Sequence, residues 1–101
     1  MLVLSRRIDQ QFVVDDQWIV TVERFDSNAL LLSLANHRGV PLGRVTAPLN
    51  APVGLIRDVD LVYVRSEAEK VRLGLESSDG TEIANRLARK EHWDLLRGRS
   101  D

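Results

Sequence analysis

The 101-residue chain is 44% hydrophobic and 29% charged, and 14 basic against 15 acidic side chains leave a net charge of −1. That length suits one domain, or two very small units sharing a core. Balanced charge argues against nucleic-acid binding by bulk attraction and leaves a local basic strip as the alternative. Cysteine is absent, which excludes a disulfide framework, a thiolate nucleophile and a Cys-based zinc site.

The opening apolar residues are followed by Arg6-Arg7, the reverse of a secretory leader. No apolar run approaches the roughly 20 residues needed to cross a bilayer. The expectation is a cytoplasmic protein without a membrane segment.

The elements read in chain order as short strands. Leu2, Leu4 and Arg6 alternate with Val3 and Ser5, the period-2 pattern of a strand. Asp9-Gln10-Gln11 makes the first turn, Phe12-Val13-Val14 the second strand, and Asp15-Asp16 the next turn. Trp18–Val22 and Ala29–Leu34 are strands around the turn Asp26-Ser27-Asn28. After His37-Arg38-Gly39 comes a fifth strand, Val40–Val45, whose Pro41 removes a ladder donor, so that it is either an edge strand or one that leaves that N–H position unpaired.

Pro48 and Pro52 mark residues 47–53 as a linker between a first unit, 1–46, and a second, 54–101, with one shared core. Strand character resumes at Val53–Ile56, Val59–Val64 and Val71–Leu75. The tail then changes period. Ile83, Leu87, Trp93 and Leu96 fall on one helical stripe, with Asp79 and Glu82 as a capping pair and Gly98 as the stop. A C-terminal α-helix is therefore expected.

The two units repeat. At an offset of 41 residues, Leu30–Leu34 falls on Val71–Leu75, Trp18–Val22 on Val59–Tyr63, Arg24 on Arg65 and Gly39 on Gly80.

The heptapeptide Met1-Leu2-Val3-Leu4-Ser5-Arg6-Arg7 resembles the start of the carbon storage regulator family of RNA-binding translational regulators. The resemblance runs without a gap to about residue 45, through Asp15-Asp16, Val20-Thr21-Val22, Asn28 and Arg44. A second stretch, Lys70-Val71-Arg72-Leu73-Gly74-Leu75-Glu76, is similar to the family's fourth-strand signature. The chain departs from the family at Asp9-Gln10, where Gly-Glu is usual, and at Leu31, Ser33, Asn36-His37 and Gly43. Thr46-Ala47-Pro48 also stands where the family's helix would begin.

The resemblance implies a mainly β fold: a small antiparallel β-sandwich or barrel with a C-terminal helix. Family members are interlocked homodimers in which the first strand of one chain pairs with the fifth of the other. This chain is then either a tandem fusion, a single-chain pseudo-dimer, or one unit with an insertion between residues 35 and 69 that forms a homodimer. The ungapped match through Arg44 favours the fusion.

The resemblance also implies binding of single-stranded GGA-containing mRNA, to regulate translation or mRNA stability. Arginine suits this, because its planar fork bonds guanine O6 and N7 together and unstacked bases expose those edges. The residues implied are Leu4, Arg6 and Arg7 on the first strand, facing Val40, Leu42 and Arg44 on the fifth. At the position matching Arg44 the second unit has Asn85, which puts a second site in doubt. The bland alternative makes Arg6, Arg7 and Arg44 solvated charges that guard sheet edges, and the chain a protein-interaction module that has lost RNA binding. Phe12, Trp18 and Phe25 read as core residues and Trp93 as packing on the sheet. His37 and His92 lack a ligand pattern, and no catalytic or phosphate-loop motif is present. No enzyme activity, metal, cofactor or small-molecule substrate is expected.

Overall fold

A computed structural model describes residues 1–78 and 82–89. Among these, nine strands form two antiparallel sheets. They are β1 (Leu2–Arg7), β2 (Gln11–Val14), β3 (Trp18–Phe25), β4 (Ala29–Asn36), β5 (Pro41–Pro48), β6 (Val53–Ile56), β7 (Val59–Glu67), β8 (Lys70–Ser77) and β9 (Leu87–Arg89). The four-stranded sheet runs β1-β8-β7-β6 and the five-stranded sheet β5-β4-β3-β2-β9. The mainly β expectation holds, and of the two placements open to the Pro41 strand, β5 takes the sheet edge.

The inward residues follow the alternation of the sequence. Phe12, Val14, Val20, Val22, Leu30 and Leu32 of the first half meet Val59, Leu61, Tyr63, Val71, Leu73 and Leu75 of the second in one buried cluster. Trp18 and Phe25 pack against it. The fully buried Tyr63 donates its hydroxyl to the carbonyl of Asp26, tying the second half to the β3–β4 turn of the first. Burial at the usual value of about 25 cal/mol per Å² makes this shared core the main source of stability. β5 extends to Pro48 and β6 starts at Val53, so the connection between the halves is only 49–52.

The repeat is realised in three dimensions. β3 pairs with β4 as Trp18↔Asn36, Val20↔Leu34 and Val22↔Leu32, then slips past Glu23 to Arg24↔Leu31. β7 pairs with β8 as Val59↔Ser77, Leu61↔Leu75 and Tyr63↔Leu73, then slips past Val64 to Arg65↔Arg72. Every pair and the bulge recur at the offset of 41. A bulge shared at one position fixes the same local twist in both hairpins.

Two expectations are corrected. The segment from Ile83 is not the start of an α-helix. It makes a single 3-10 turn, Ile83–Arg86, and then β9 joins β2 through Val14↔Leu87, Val13↔Ala88 and Phe12↔Arg89. An open β2 edge offers unpaired N–H and C=O groups, and adding a strand satisfies them. Asp79 and the later part of the expected helix, with Trp93, Leu96 and Gly98, lie outside the described residues. The second correction concerns β1. Its partner comes from the second half, but it is β8, through Leu2↔Leu75, Leu4↔Leu73 and Arg6↔Val71, and not a fifth strand.

Each half thus completes the other's sheet. β1 of the first half extends β8-β7-β6, and β9 of the second extends β4-β3-β2.

Candidate functional site

The six residues expected to bind RNA fall into two separate groups. β1 ends the four-stranded sheet and β5 ends the five-stranded one, and they share no pairing. On β1 the even residues turn inward. Leu4 is half-buried against the core, and the Arg6 guanidinium lies 5.8 Å from the centroid of the buried Phe12 ring. Arg7 faces outward, with Nη1 3.7 Å from Glu69 Oε2. The expected apolar platform at Leu4 is therefore packing, and Val3 takes the outward position beside it.

Val40, Leu42 and Arg44 are exposed together near the β4–β5 turn. Asn36 builds that turn. Its Oδ1 accepts from the N–H of Arg38 at 2.9 Å and of Val40 at 3.0 Å, and Gly39 supplies the positive φ of 83°. Arg38 is held at the tip. Below it the register jumps from Ala35↔Pro41 to Leu34↔Gly43, which leaves Leu42 as a bulged residue aimed at solvent. Pro41, Leu42, Gly43 and Arg44 are all exposed in succession, so neither face of this part of the strand is covered. The end of the hairpin stands clear of the sandwich as an arm.

A charge signal in the sequence marks this arm. Residues 27–57 contain Arg38, Arg44 and Arg57 and no Asp or Glu at all. The basic strip that the overall charge concealed therefore centres on the β4–β5 hairpin. From Arg44 a polar row crosses the outer face of the sheet through Ser33, Thr21 and Gln11, each directly opposite the next. Gln11 Nε2 donates to Thr21 Oγ1 at 2.8 Å. Guanidinium, hydroxyls and amide along one row, with Val40 and Leu42 beside them, can hydrogen-bond base edges and contact base faces.

Across the molecule, Arg86 joins the two halves. Its Nε and one Nη bind both carboxylate oxygens of Asp15 at 2.7 and 2.6 Å, and its two Nη atoms bind those of Asp58 at 2.9 and 3.0 Å. Asp15 is in the β2–β3 turn and Asp58 in the corresponding β6–β7 turn. Asp15 and Asp16 both have φ of 55°, a left-handed turn that aspartate tolerates. The Arg86 bonds hold both carboxyls below their ordinary range, and the two carboxylates push the guanidinium up. This arrangement is structural, since four of the five guanidinium N–H donors bond the two carboxylates. Asn85, the counterpart of Arg44, sits exposed in the same 3-10 turn.

A cleft of about 300 Å³ lies beside that turn, bordered by Met1, Leu2 and Ile83 with Glu76 and Glu82. Its carboxylates disfavour a phosphate. Among the described residues no group of His, Asp and Glu is placed to hold a metal, and no helix is long and apolar enough to cross a membrane.

Comparison of the chain with protein-family models, curated proteins and solved structures finds no match.

Proposed function

We propose that this protein is a carbon-storage-regulator-like, single-chain pseudo-dimer that binds single-stranded GGA-containing mRNA through the β4–β5 arm and so regulates translation or mRNA stability. The observation that carries the reading is the acid-free arm itself, on which Arg38 and Val40 of the turn and Leu42 and Arg44 of the edge strand β5 are open to solvent. Arg44 reads guanine by paired hydrogen bonds, Arg38 adds a phosphate contact at the tip, and Val40 and Leu42 support unstacked bases. Leu4 and Arg6 support the sheet, and Arg7 lies apart from the arm. That each half lends a strand to the other's sheet, β1 to β8 and β9 to β2, supports the pseudo-dimer. Such a chain is a monomer in solution.

The exposed Val40 and Leu42 on the open β5 edge favour a second reading, a protein-interaction module that adds a partner strand there. Titration of a labelled hairpin carrying GGA in its loop, against one with the loop changed to CCA, separates the two. The RNA reading expects GGA-selective binding at 50 mM salt, and Arg44→Ala should weaken it by roughly tenfold or more. Equal or absent binding of the two hairpins to the wild-type protein rejects the GGA reading.

A further inference from the structure

The outer face of the four-stranded sheet carries a second basic feature, away from the arm. Its rows follow from the strand register. Arg7 lies opposite Lys70, and Lys70 opposite Glu67. In the next row on this face Ser5 lies opposite Arg72, and Arg72 opposite Arg65. Arg7, Arg65, Lys70 and Arg72 are all exposed. Acids are present as well: Glu67 pairs with Arg65 at 2.8 Å, Glu69 with Arg7 at 3.7 Å, and Asp60 lies opposite Glu76 two rows further along the face, past Val62 and Gly74. Among the described residues no carboxylate pairs with Arg72 or Lys70.

Like charges directly opposite on neighbouring strands repel, so an Arg72–Arg65 pair is unfavourable in the bare sheet. The first half avoids it. The matching pair there is Leu31 opposite Arg24, one cation and one apolar residue. The second half alone places two guanidiniums face to face, with the Ser5 hydroxyl at the end of the row.

We infer that this face binds the phosphodiester backbone of single-stranded nucleic acid, as a sequence-independent contact distinct from the arm. A phosphate between Arg65 and Arg72 turns their repulsion into two charge-assisted, fork-shaped contacts. Four cations spread over three strands spaced about 4.8 Å apart suit successive phosphates better than a lone anion. The inference extends the RNA reading, but it makes no use of GGA.

The probe is therefore a 20-nucleotide oligouridylate, titrated alongside the short GGA hairpin at several salt concentrations. The wild-type protein binds oligouridylate at 50 mM salt and weakens as salt rises. The double variant Arg65→Gln/Arg72→Leu lowers that affinity about tenfold and flattens the salt slope by about 1.4, the value for two phosphates on a single strand. Its affinity for the GGA hairpin stays within about twofold. Arg24→Gln, in the matching row of the first half, leaves oligouridylate binding unchanged. Failure of the wild-type protein to bind oligouridylate, or an unaltered slope in the double variant, overturns the inference. Oligouridylate binding without GGA selectivity overturns the arm reading and leaves this one standing.

Discussion

The hairpins β3–β4 and β7–β8 have the same register, the same bulge and the same inward pattern, yet opposite outer faces. Where the first has Ile19 opposite Ala35, the second has Asp60 opposite Glu76. Leu31 gives way to Arg72, and Thr21–Ser33 to Val62–Gly74. Val13 and Ile19 form a second small buried cluster with Ala35 packed against it, whereas their counterparts Gly54 and Asp60 are exposed and half-exposed. At Gly74 a Cβ would overlap the Met1 Sδ, so a side chain there would displace the exposed Met1 side chain that lies over it, whereas the matching place carries Ser33. Inward residues must fill one shared core, and a change of one methylene there is felt. Outward residues answer only to what lies on their own face, and there the halves have diverged.

Exchanging outer-face residues breaks this comparison most sharply. Ile19→Asp places a carboxylate where the side chain is 7% exposed and should cost about 3 kcal/mol or more. Asp60→Ile, the reverse change on the other half, should stay within about 0.5 kcal/mol. Urea unfolding of the two variants reads the difference. Similar costs would show that the outer faces are not distinct environments.

A middle-sized effect is expected at Arg86, which bonds the matching turns of both halves. Arg86→Met leaves Asp15 and Asp58 facing one another and should lower Tm by roughly 5 °C. In an Asp15→Asn/Asp58→Asn background the same change should matter much less, a coupling that a double-mutant cycle measures. The pH dependence has a definite sign. Both carboxyls titrate below their ordinary 3.8 in the folded chain, so the unfolded chain binds protons first as pH falls. Their contribution is complete well above pH 3.8 and declines as pH falls through and below it. Arg86→Met should make the acid limb of the stability curve shallower. Asp26 keeps part of the slope, since the N–H groups of Asn28 and Ala29 depress its pKa independently.

The smallest effect sharpens the comparison. Arg72→Leu gives the second half the residue found in the first and removes the repulsion from Arg65. It should raise stability by a few tenths of a kcal/mol, detectable as a small shift of the urea midpoint at unchanged slope. A loss of stability would mean that Arg72 makes a favourable contact in the folded chain.

Much of this was readable along the chain. Eight of the strands were readable, most of them by alternation because they bury one face, and Pro41 pointed to β5 as an edge because it cannot donate to a ladder. The repeat showed in Leu30–Leu34 and Val71–Leu75. The tail did not. Ile83 and Leu87 stand four apart, which suits a helical stripe, and spacing alone could not reveal that Leu87–Arg89 would meet the open edge of β2. The candidate site was half legible: Val40, Leu42 and Arg44 were singled out together, while Arg38 was passed over although the absence of acid from residues 27–57 pointed to it.

What local sequence determined by itself was the set of strands, their inward faces and the turns between them, because these depend on neighbours within a few residues. Only the tertiary structure decided which strands meet. It placed β1 on β8 and β9 on β2, separated Leu4 and Arg6 from Arg44, and brought Arg86 to carboxylates 71 and 28 residues away. Those outcomes depend on sheet edges finding partners and on two halves filling one core. That constraint acts across the whole fold and leaves no local pattern.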